Sequence, residues 1–260
     1  METSCKNCAT QLVENYHFCP NCGQKTPLHR LSMHEVFHEA FHYFTHADKS
    51  FLVLLKELIY KNGRVAKEYV EGKRKKYFSP LNFFMIVAAL NLIAMTADGV
   101  EEKHDVLKEN PELMQMDATS KQHMIQMYER QYEATHFIRT HANKTVLVSL
   151  PFMAFIFWLF YRKEKYNYTE HLVAGMFMYA FCTLIFVVLT FLNLLTNIDT
   201  NLIYFGCLLL QMGYFSVFYY NFIGDGRKLK AFLVSLSVII STFMASGILV
   251  WLYMAGLFGS

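Results

Sequence analysis

The sequence predicts an all-α membrane protein, with five transmembrane helices preceded by a small cytoplasmic ribbon and juxtamembrane amphipathic helices. Two observations carry this prediction. The 260-residue chain is 54% hydrophobic and only 17% charged, whereas charged residues make up about a quarter of a typical soluble domain. Its apolar residues are concentrated after residue 145, while four of its six cysteines lie within the first 22 residues. We therefore expect a ribbon at 1–27, cytoplasmic helices at 28–79 and a transmembrane bundle at 80–260.

The first predicted element is a metal-binding ribbon. Cys5 and Cys8 form one C-x-x-C pair, and Cys19 and Cys22 form a second pair after ten intervening residues. Each pair lets two thiolates bind one ion, and two pairs complete the tetrahedral sulfur site that structural zinc occupies. Gly23 supplies the backbone freedom that such a turn needs. Disulfide pairing is the alternative, and a reducing cytosol disfavours it. The zinc site has no open position for substrate, so we expect it to support folding and docking.

Residues 28–79 are predicted to form cytoplasmic amphipathic helices. Ser32 and Glu35 make a capping box, in which each side chain binds the other residue's backbone amide. Asp48 is placed to cap a second helix that ends at Asn62-Gly63. A third helical stretch, residues 64–78, leads to Pro80, which suits the first turn of the next helix.

A basic run stands immediately before the first apolar segment. It consists of Lys73, Arg74, Lys75 and Lys76. Anionic lipid headgroups attract each cation near a membrane surface by about 1 kcal/mol. We therefore expect these four residues to bind headgroups at the cytoplasmic face.

Five apolar segments are predicted to cross the membrane, since a span needs about 20 residues. They run roughly over 81–97, 145–161, 171–195, 202–223 and 231–257. Basic clusters at 73–76, 162–165 and 227–230 all fall on one side of such a bundle. The positive-inside rule then places the N-terminus in the cytoplasm and the C-terminus outside. Loop 98–144, with nine acidic and six basic residues, is extracytoplasmic, and its second half is expected to form a helix lying on the membrane or packed on the spans.

Three stretches resemble a bacterial zinc-ribbon membrane-protein family that is catalogued as a domain of unknown function. They are CPNCGQ, EYVEGKRKKYFSP and YTEHLV. The resemblance covers the cytoplasmic third of the chain and the start of the third span. It implies a ribbon, a juxtamembrane helical module and several spans in a bacterial inner membrane, with no known reaction. Within this resemblance, His46 and the pair Glu170-His171 are typical of the family.

The stretch HEVFHEAFHYFTH places a histidine at every fourth position from 34 to 46 and contains the zinc-protease pattern H-E-x-x-H twice. Glu35 is already the partner of Ser32 in the capping box, so it is not free to act as a protease base. No third metal ligand follows at the spacing of the metzincin proteases. The simplest interpretation is a polar helix face. The alternative is a membrane-bound metalloenzyme, because His171 opens the third span on the same side of the membrane. Its residues would be His38, Glu39, His42, His46 and His171.

No phosphate-binding loop, serine triad or nucleotide fingerprint occurs, and the ribbon has too few basic residues to favour nucleic-acid binding. We expect an uncharacterised, non-enzymatic scaffold, sensor or regulator that docks a cytoplasmic protein partner through its ribbon and helices. Within the spans, Asn82, Asn91, Asn193 and Gln211 are predicted to form interhelical hydrogen bonds rather than a transport path. Cys182 and Cys207 are expected to be inert buried thiols.

Overall fold

The computed structural model describes residues 4–13, 16–37, 49–97, 106, 110–196, 198 and 200–254. Beyond one helical turn at 33–37, its helices are α1 (Lys49–Tyr60), α2 (Gly63–Val70), α3 (Pro80–Ala97), a 3₁₀ helix (Pro111–Gln115), α4 (Ala118–Tyr161), α5 (Tyr168–Thr196), α6 (Thr200–Ile223) and α7 (Lys228–Met254). In these described ranges no strand forms, and the ribbon contributes two isolated β-bridges. The all-helical class is therefore confirmed.

Three helices are long and apolar enough to cross a membrane, as expected of a membrane protein. The candidate spans are Tyr168–Asn193, Asn201–Ile223 and Lys228–Ala245. Two shorter apolar helical segments, Pro80–Met95 and Ser149–Tyr161, accompany them. Each of the five coincides with a segment predicted from the sequence.

The apolar helices are arranged around α5. Helices α4, α5, α6 and α7 form a ring in which each packs against the next and α7 packs back on α4, while α3 packs on α5 and touches α4. More than half of the best span window of α5 is buried (56%), against 17% for α6 and 28% for α7. Helix α5 is therefore the centre of the bundle, and α6 and α7 face outward.

Helix α4 differs from the sequence-based expectation for loop 98–144. Instead of a separate helix on the membrane, the second half of this loop is continuous with the second apolar segment in one helix of 44 residues. Asp117 caps its start by accepting a hydrogen bond from the Ser120 backbone amide at 3.0 Å. No glycine or proline interrupts residues 118–150, so nothing ends the helix before Pro151. At 1.5 Å per residue it is about 66 Å long, more than twice the thickness of a bilayer core of about 30 Å.

Helices α1 and α2 meet at a corner that packs on α6. Asn62 caps α2 with a side-chain oxygen that accepts from the Gly63 amide at 2.9 Å and from Asn221 Nδ2 at 2.6 Å. The Tyr214 hydroxyl donates to the Leu58 carbonyl at 3.1 Å. The outer face of α1 exposes Leu52, Val53, Ile59 and Tyr60. This apolar face suits a helix lying in the membrane interface.

The third predicted amphipathic helix is shorter than expected. It ends at Val70, and residues 71–79 form turns instead of continuing towards Pro80. Gly72 explains the break, because its φ of +125° lies outside the helical range.

Candidate metal centre and its junction with the membrane helices

The four N-terminal cysteines form a candidate metal site. Their sulfur atoms all lie within 4.8 Å of one another, with Cys5 Sγ 3.7 Å from Cys22 Sγ and Cys8 Sγ 3.6 Å from Cys19 Sγ. Disulfide sulfurs are about 2.05 Å apart, so the thiols are unbonded. Four sulfurs at about 2.3 Å from a zinc ion are about 3.8 Å apart, which matches the observed spacing. The predicted ligands therefore come together and could hold one metal ion.

The two cysteine turns have the same backbone conformation. After the first pair, the Ala9 amide donates to the Cys5 carbonyl at 2.8 Å; after the second, the Gly23 amide donates to the Cys19 carbonyl at 2.9 Å. Both residues adopt positive φ, 59° at Ala9 and 68° at Gly23. The sequence predicted this freedom at Gly23, whereas the matching strain at Ala9 is visible only in the structure. An alanine in this region costs about 1–2 kcal/mol.

The four thiols differ in their electrostatic surroundings. Burial raises the pKa of Cys5 to about 12. A hydrogen bond with the Thr10 side chain, 3.1 Å from Cys8 Sγ, lowers the pKa of Cys8 to about 6. Cys8 therefore ionises at a lower pH than Cys5, and metal binding to the Cys5 thiolate displaces its proton.

The ribbon is joined to residues 72–75 by hydrogen bonds and close packing. The Arg74 guanidinium donates to the His29 carbonyl at 2.8 Å, and the Lys75 amide donates to Gln24 Oε1 at 3.2 Å. A side chain at Gly72 would lie 2.9 Å from Leu28. The Leu28 side chain could shift, so the glycine preference of this turn comes mainly from its φ of +125°.

A bidentate ion pair connects the ribbon's C-terminal segment to α5. Arg30 Nε lies 3.0 Å from Glu170 Oε1, and Arg30 Nη2 lies 2.8 Å from Glu170 Oε2. The Glu170 carboxylate is nearly buried, at 5% side-chain exposure. It also accepts from the Asn167 amide at 2.6 Å, while Asn167 Oδ1 accepts from the Glu170 amide at 2.8 Å. This reciprocal pair is a capping box that starts α5 and orients the carboxylate towards Arg30.

A second ionic cluster joins α1, α2 and the turn before α3. Lys76 Nζ lies 3.0 Å from Glu57 Oε2 and 2.9 Å from Glu68 Oε2, and the Tyr77 hydroxyl contacts both carboxylates. Burial alone would raise the pKa of Glu68, but hydrogen bonds from Lys76 and Tyr77 outweigh it and hold that pKa at about 2. Burial and the neighbouring Glu57 raise the pKa of Tyr77. The cluster therefore holds two carboxylates ionised beside one ammonium group and a neutral phenol.

Several residues of the predicted headgroup-binding run, 73–76, form ion pairs with other residues of the protein. Arg74 is buried, and besides His29 it faces Glu35 at 3.9 Å. Lys76 belongs to the ionic cluster, and Lys73 Nζ pairs with Glu68 at 3.3 Å. Lys75 is exposed, and the side chain of Lys73 is 42% exposed in spite of its ion pair. Headgroup binding remains a prediction, and it fits Lys73 and Lys75 better than the other two cations.

The predicted histidine site is only partly described. His38, Glu39, His42 and His46 lie outside the described residues. The Ser32–Glu35 capping box is confirmed, with both hydrogen bonds at 3.3 Å.

His171 is fully buried, and its Nδ1 lies 3.4 Å from the Tyr219 hydroxyl. The rings of Tyr161, Tyr166, Tyr219 and Phe222 surround its imidazole. His171 Nε2 is buried and has no hydrogen-bond partner among the described residues. Because His38, Glu39, His42 and His46 lie outside those residues, the metalloenzyme alternative stays a hypothesis.

Sequence reasoning missed Arg30, Gln24, Glu57 and Glu68 as junction residues, and it noted Glu170 only as part of a Glu-His pair. One local signal was available, since Asn167 and Glu170 have the spacing of a capping box. The pairing of Glu170 with Arg30 joins positions 140 residues apart, and no local pattern indicates it.

One region of the chain matches a known protein family. The model of a family described as a protein of unknown function, DUF3667, matches residues 48–91. This range contains α1, α2, the turn after it and most of α3, and so includes the whole ionic cluster of Glu57, Glu68, Lys76 and Tyr77. No curated protein and no solved structure matches the chain.

Proposed function

We propose that this protein is a non-enzymatic scaffold or sensor of a bacterial inner membrane, in which a zinc ribbon docks a cytoplasmic protein partner. In this proposal all five apolar helices cross the bilayer, the ribbon lies in the cytoplasm and the C-terminus lies outside. The observation that carries it is the bidentate Arg30–Glu170 pair, which attaches the ribbon to the start of the central helix α5.

The metal site supports a structural role for the ribbon. Four cysteines at tetrahedral spacing fill the coordination of one zinc ion and leave no position for substrate. Zinc also suits an all-thiolate site in a reducing compartment. Bound zinc would hold the two cysteine turns together, since so small a segment cannot bury enough apolar surface to fold alone.

The surface of the ribbon supports a docking role. Three large apolar side chains near the second cysteine pair are exposed, namely Val13 (66%), Tyr16 (45%) and Phe18 (61%). Exposed apolar side chains grouped on a small domain are typical of protein interaction sites. Because Arg30, Arg74 and Lys75 tie the ribbon to the helices, a partner bound here would be held at a set position relative to α5.

The docking proposal is tested by photocrosslinking in cells. A benzoylphenylalanine replaces Phe18 in the full-length protein, and a matched control carries it at the exposed Met114 of the 3₁₀ helix. We expect a protein adduct at position 18 that disappears when Cys5 and Cys19 are changed to serine or when Val13 and Tyr16 are changed to serine. An adduct unaffected by these changes, or adducts with lipid alone, would contradict docking.

Two measurements test the metal and the topology. Elemental analysis of the purified protein should give one zinc per chain, lost in the Cys5→Ser, Cys19→Ser variant. A second metal that is lost in His42→Ala or His171→Ala would instead favour the metalloenzyme. A reporter active only outside the cytoplasm should be active when fused after residue 260 and inactive when fused after Asp225; the reverse would refute the proposed orientation.

A further inference from the structure

The helices α4, α5, α6 and α7 form the walls of a partly open cavity. Its volume is about 360 Å³, within the range of roughly 300–1,000 Å³ that is usual for small-molecule sites. Apolar side chains form most of the wall, including Met153 on α4, Phe186 on α5, Phe215 on α6 and Val238 on α7. Asn91 and Met95 of α3 also reach it. All five apolar helices therefore contribute to one chamber.

An aromatic layer separates this chamber from the end of the bundle that holds the ribbon. Phe157 and Tyr219 stack with ring centres 3.5 Å apart, and His171 lies parallel to Tyr219 at 5.9 Å. All three side chains are fully buried. The described side chains thus leave the cavity closed at this end, which fits a binding chamber and not a path across the membrane.

Gln211 places an amide in this cavity, and no described residue forms a hydrogen bond with it. It is the eleventh of the 23 residues in the candidate span Asn201–Ile223, and hence near its middle. It lines the cavity, and among the described residues it takes part in no hydrogen bond. Within the described part of the chain Gln211 thus forms no interhelical hydrogen bond, and Asn91 Nδ2 donates to Met95 Sδ of its own helix at 3.8 Å. An amide without a partner in hydrocarbon is costly, so it favours a polar occupant.

The remaining chemistry of the wall restricts what that occupant is. The described residues that line the cavity include no Asp, Glu, Lys, Arg or His, so none of them would neutralise an ionised ligand at membrane depth. Three of the helices that form the wall are candidate spans, so the surrounding solvent is lipid. An occupant reaching this site is therefore dissolved in the bilayer and uncharged.

We propose that this cavity binds an uncharged, membrane-dissolved amphiphile, a hydrocarbon chain that carries a hydroxyl or carbonyl group. The chain lies against Phe186, Phe215 and Val238, and the polar group forms a hydrogen bond with the Gln211 amide. This inference does not depend on docking by the ribbon. It requires only that the helices lie in a bilayer.

Photolabelling of the full-length protein in lipid nanodiscs tests the proposal. The probe is hexadecanol carrying a diazirine and an alkyne, in a bilayer of phosphatidylethanolamine and phosphatidylglycerol. We expect saturable labelling that maps to the cavity-lining parts of α5 and α6 and is competed by unlabelled hexadecanol. The Gln211→Leu variant should bind the probe about 2- to 10-fold more weakly, the effect of one net hydrogen bond.

Matched variants and a second probe make the outcome decisive. Ser216→Ala, on the same helix, removes a hydroxyl that donates to the Met212 carbonyl at 2.7 Å, and labelling should not change. Cys207→Phe, which fills part of the cavity, should reduce saturable labelling even if Gln211→Leu folds poorly. The corresponding fatty acid should compete weakly, because its carboxylate is charged. Labelling that never saturates, that maps to the outward-facing Phe205 and Leu209, or that is equal in wild type, Gln211→Leu and Cys207→Phe overturns the proposal.

Discussion

Replacing Gly63 by alanine should separate α2 from α6. A Cβ at this position would lie 1.8 Å from the Phe218 carbonyl oxygen and 2.8 Å from the Phe222 amide nitrogen. Both are backbone atoms of α6, so no side-chain rotation relieves the clash. Because Cβ contacts below 3.0 Å do not occur, the two helices must move apart by at least 1.2 Å, the difference between 3.0 and 1.8 Å.

The expected loss of stability has two parts. Overpacking of this kind costs about 1–3 kcal/mol. The separation also weakens the Asn221–Asn62 and Tyr214–Leu58 hydrogen bonds, worth about 1 kcal/mol each. We therefore expect a loss of about 2–4 kcal/mol, which lowers the midpoint of thermal unfolding by roughly 5–15 °C for a protein of this size.

A matched variant in α6 should have the opposite effect. A Cβ at Gly213 meets no atom within 4 Å, and replacing a glycine inside a helix by alanine stabilises it by about 0.5–1 kcal/mol. Unfolding of both variants is followed by circular dichroism of the purified protein in detergent. Equal midpoints for Gly63→Ala and Gly213→Ala would refute the contact between Gly63 and the α6 backbone.

Three further predictions concern the ribbon and its junction. Ala9→Gly should relieve the positive-φ strain and make the ribbon more resistant to zinc chelators. Gly23→Ala has free space for the Cβ but a φ of +68°, so it should destabilise the ribbon by about 1 kcal/mol. Equal chelator sensitivity of the two variants would contradict both predictions. Arg30→Ala should release the ribbon to limited proteolysis, and Arg30→Lys should rescue little, because lysine cannot form the bidentate contact with Glu170; a full rescue by lysine would show that charge alone suffices. The pKa of Glu68 is lowered from 4.5 to about 2 in the folded protein. The ionised carboxylate therefore stabilises the fold by on the order of 2 kcal/mol above pH 4.5, and this contribution is lost as the pH falls towards 2. Glu68→Gln should flatten this part of the curve of stability against pH, and an unchanged curve would exclude the cluster as its source.

The residues that the sequence identified correctly depend on short-range spacing. Cys5, Cys8, Cys19 and Cys22 come together because each C-x-x-C turn is closed by local backbone hydrogen bonds. The Ser32–Glu35 box likewise forms within one helical turn. The apolar segments were visible because a run of about 20 apolar residues is itself the signal for a membrane helix. The sequence by itself therefore predicted the cysteine cluster that could hold a metal, the capping box at Ser32 and the membrane class.

Tertiary structure decided which charged and polar groups find partners. Arg74 and Lys76 look like surface cations in the sequence, yet Glu35, Glu57 and Glu68 from other elements neutralise them. Gln211 looks like an interhelical donor, yet packing leaves it facing a cavity. Arg30 meets Glu170 only because the ribbon folds back on α5. Hydrogen bonds and ion pairs act over a few ångströms between residues that can be far apart in the chain, so their partners emerge only when the helices pack.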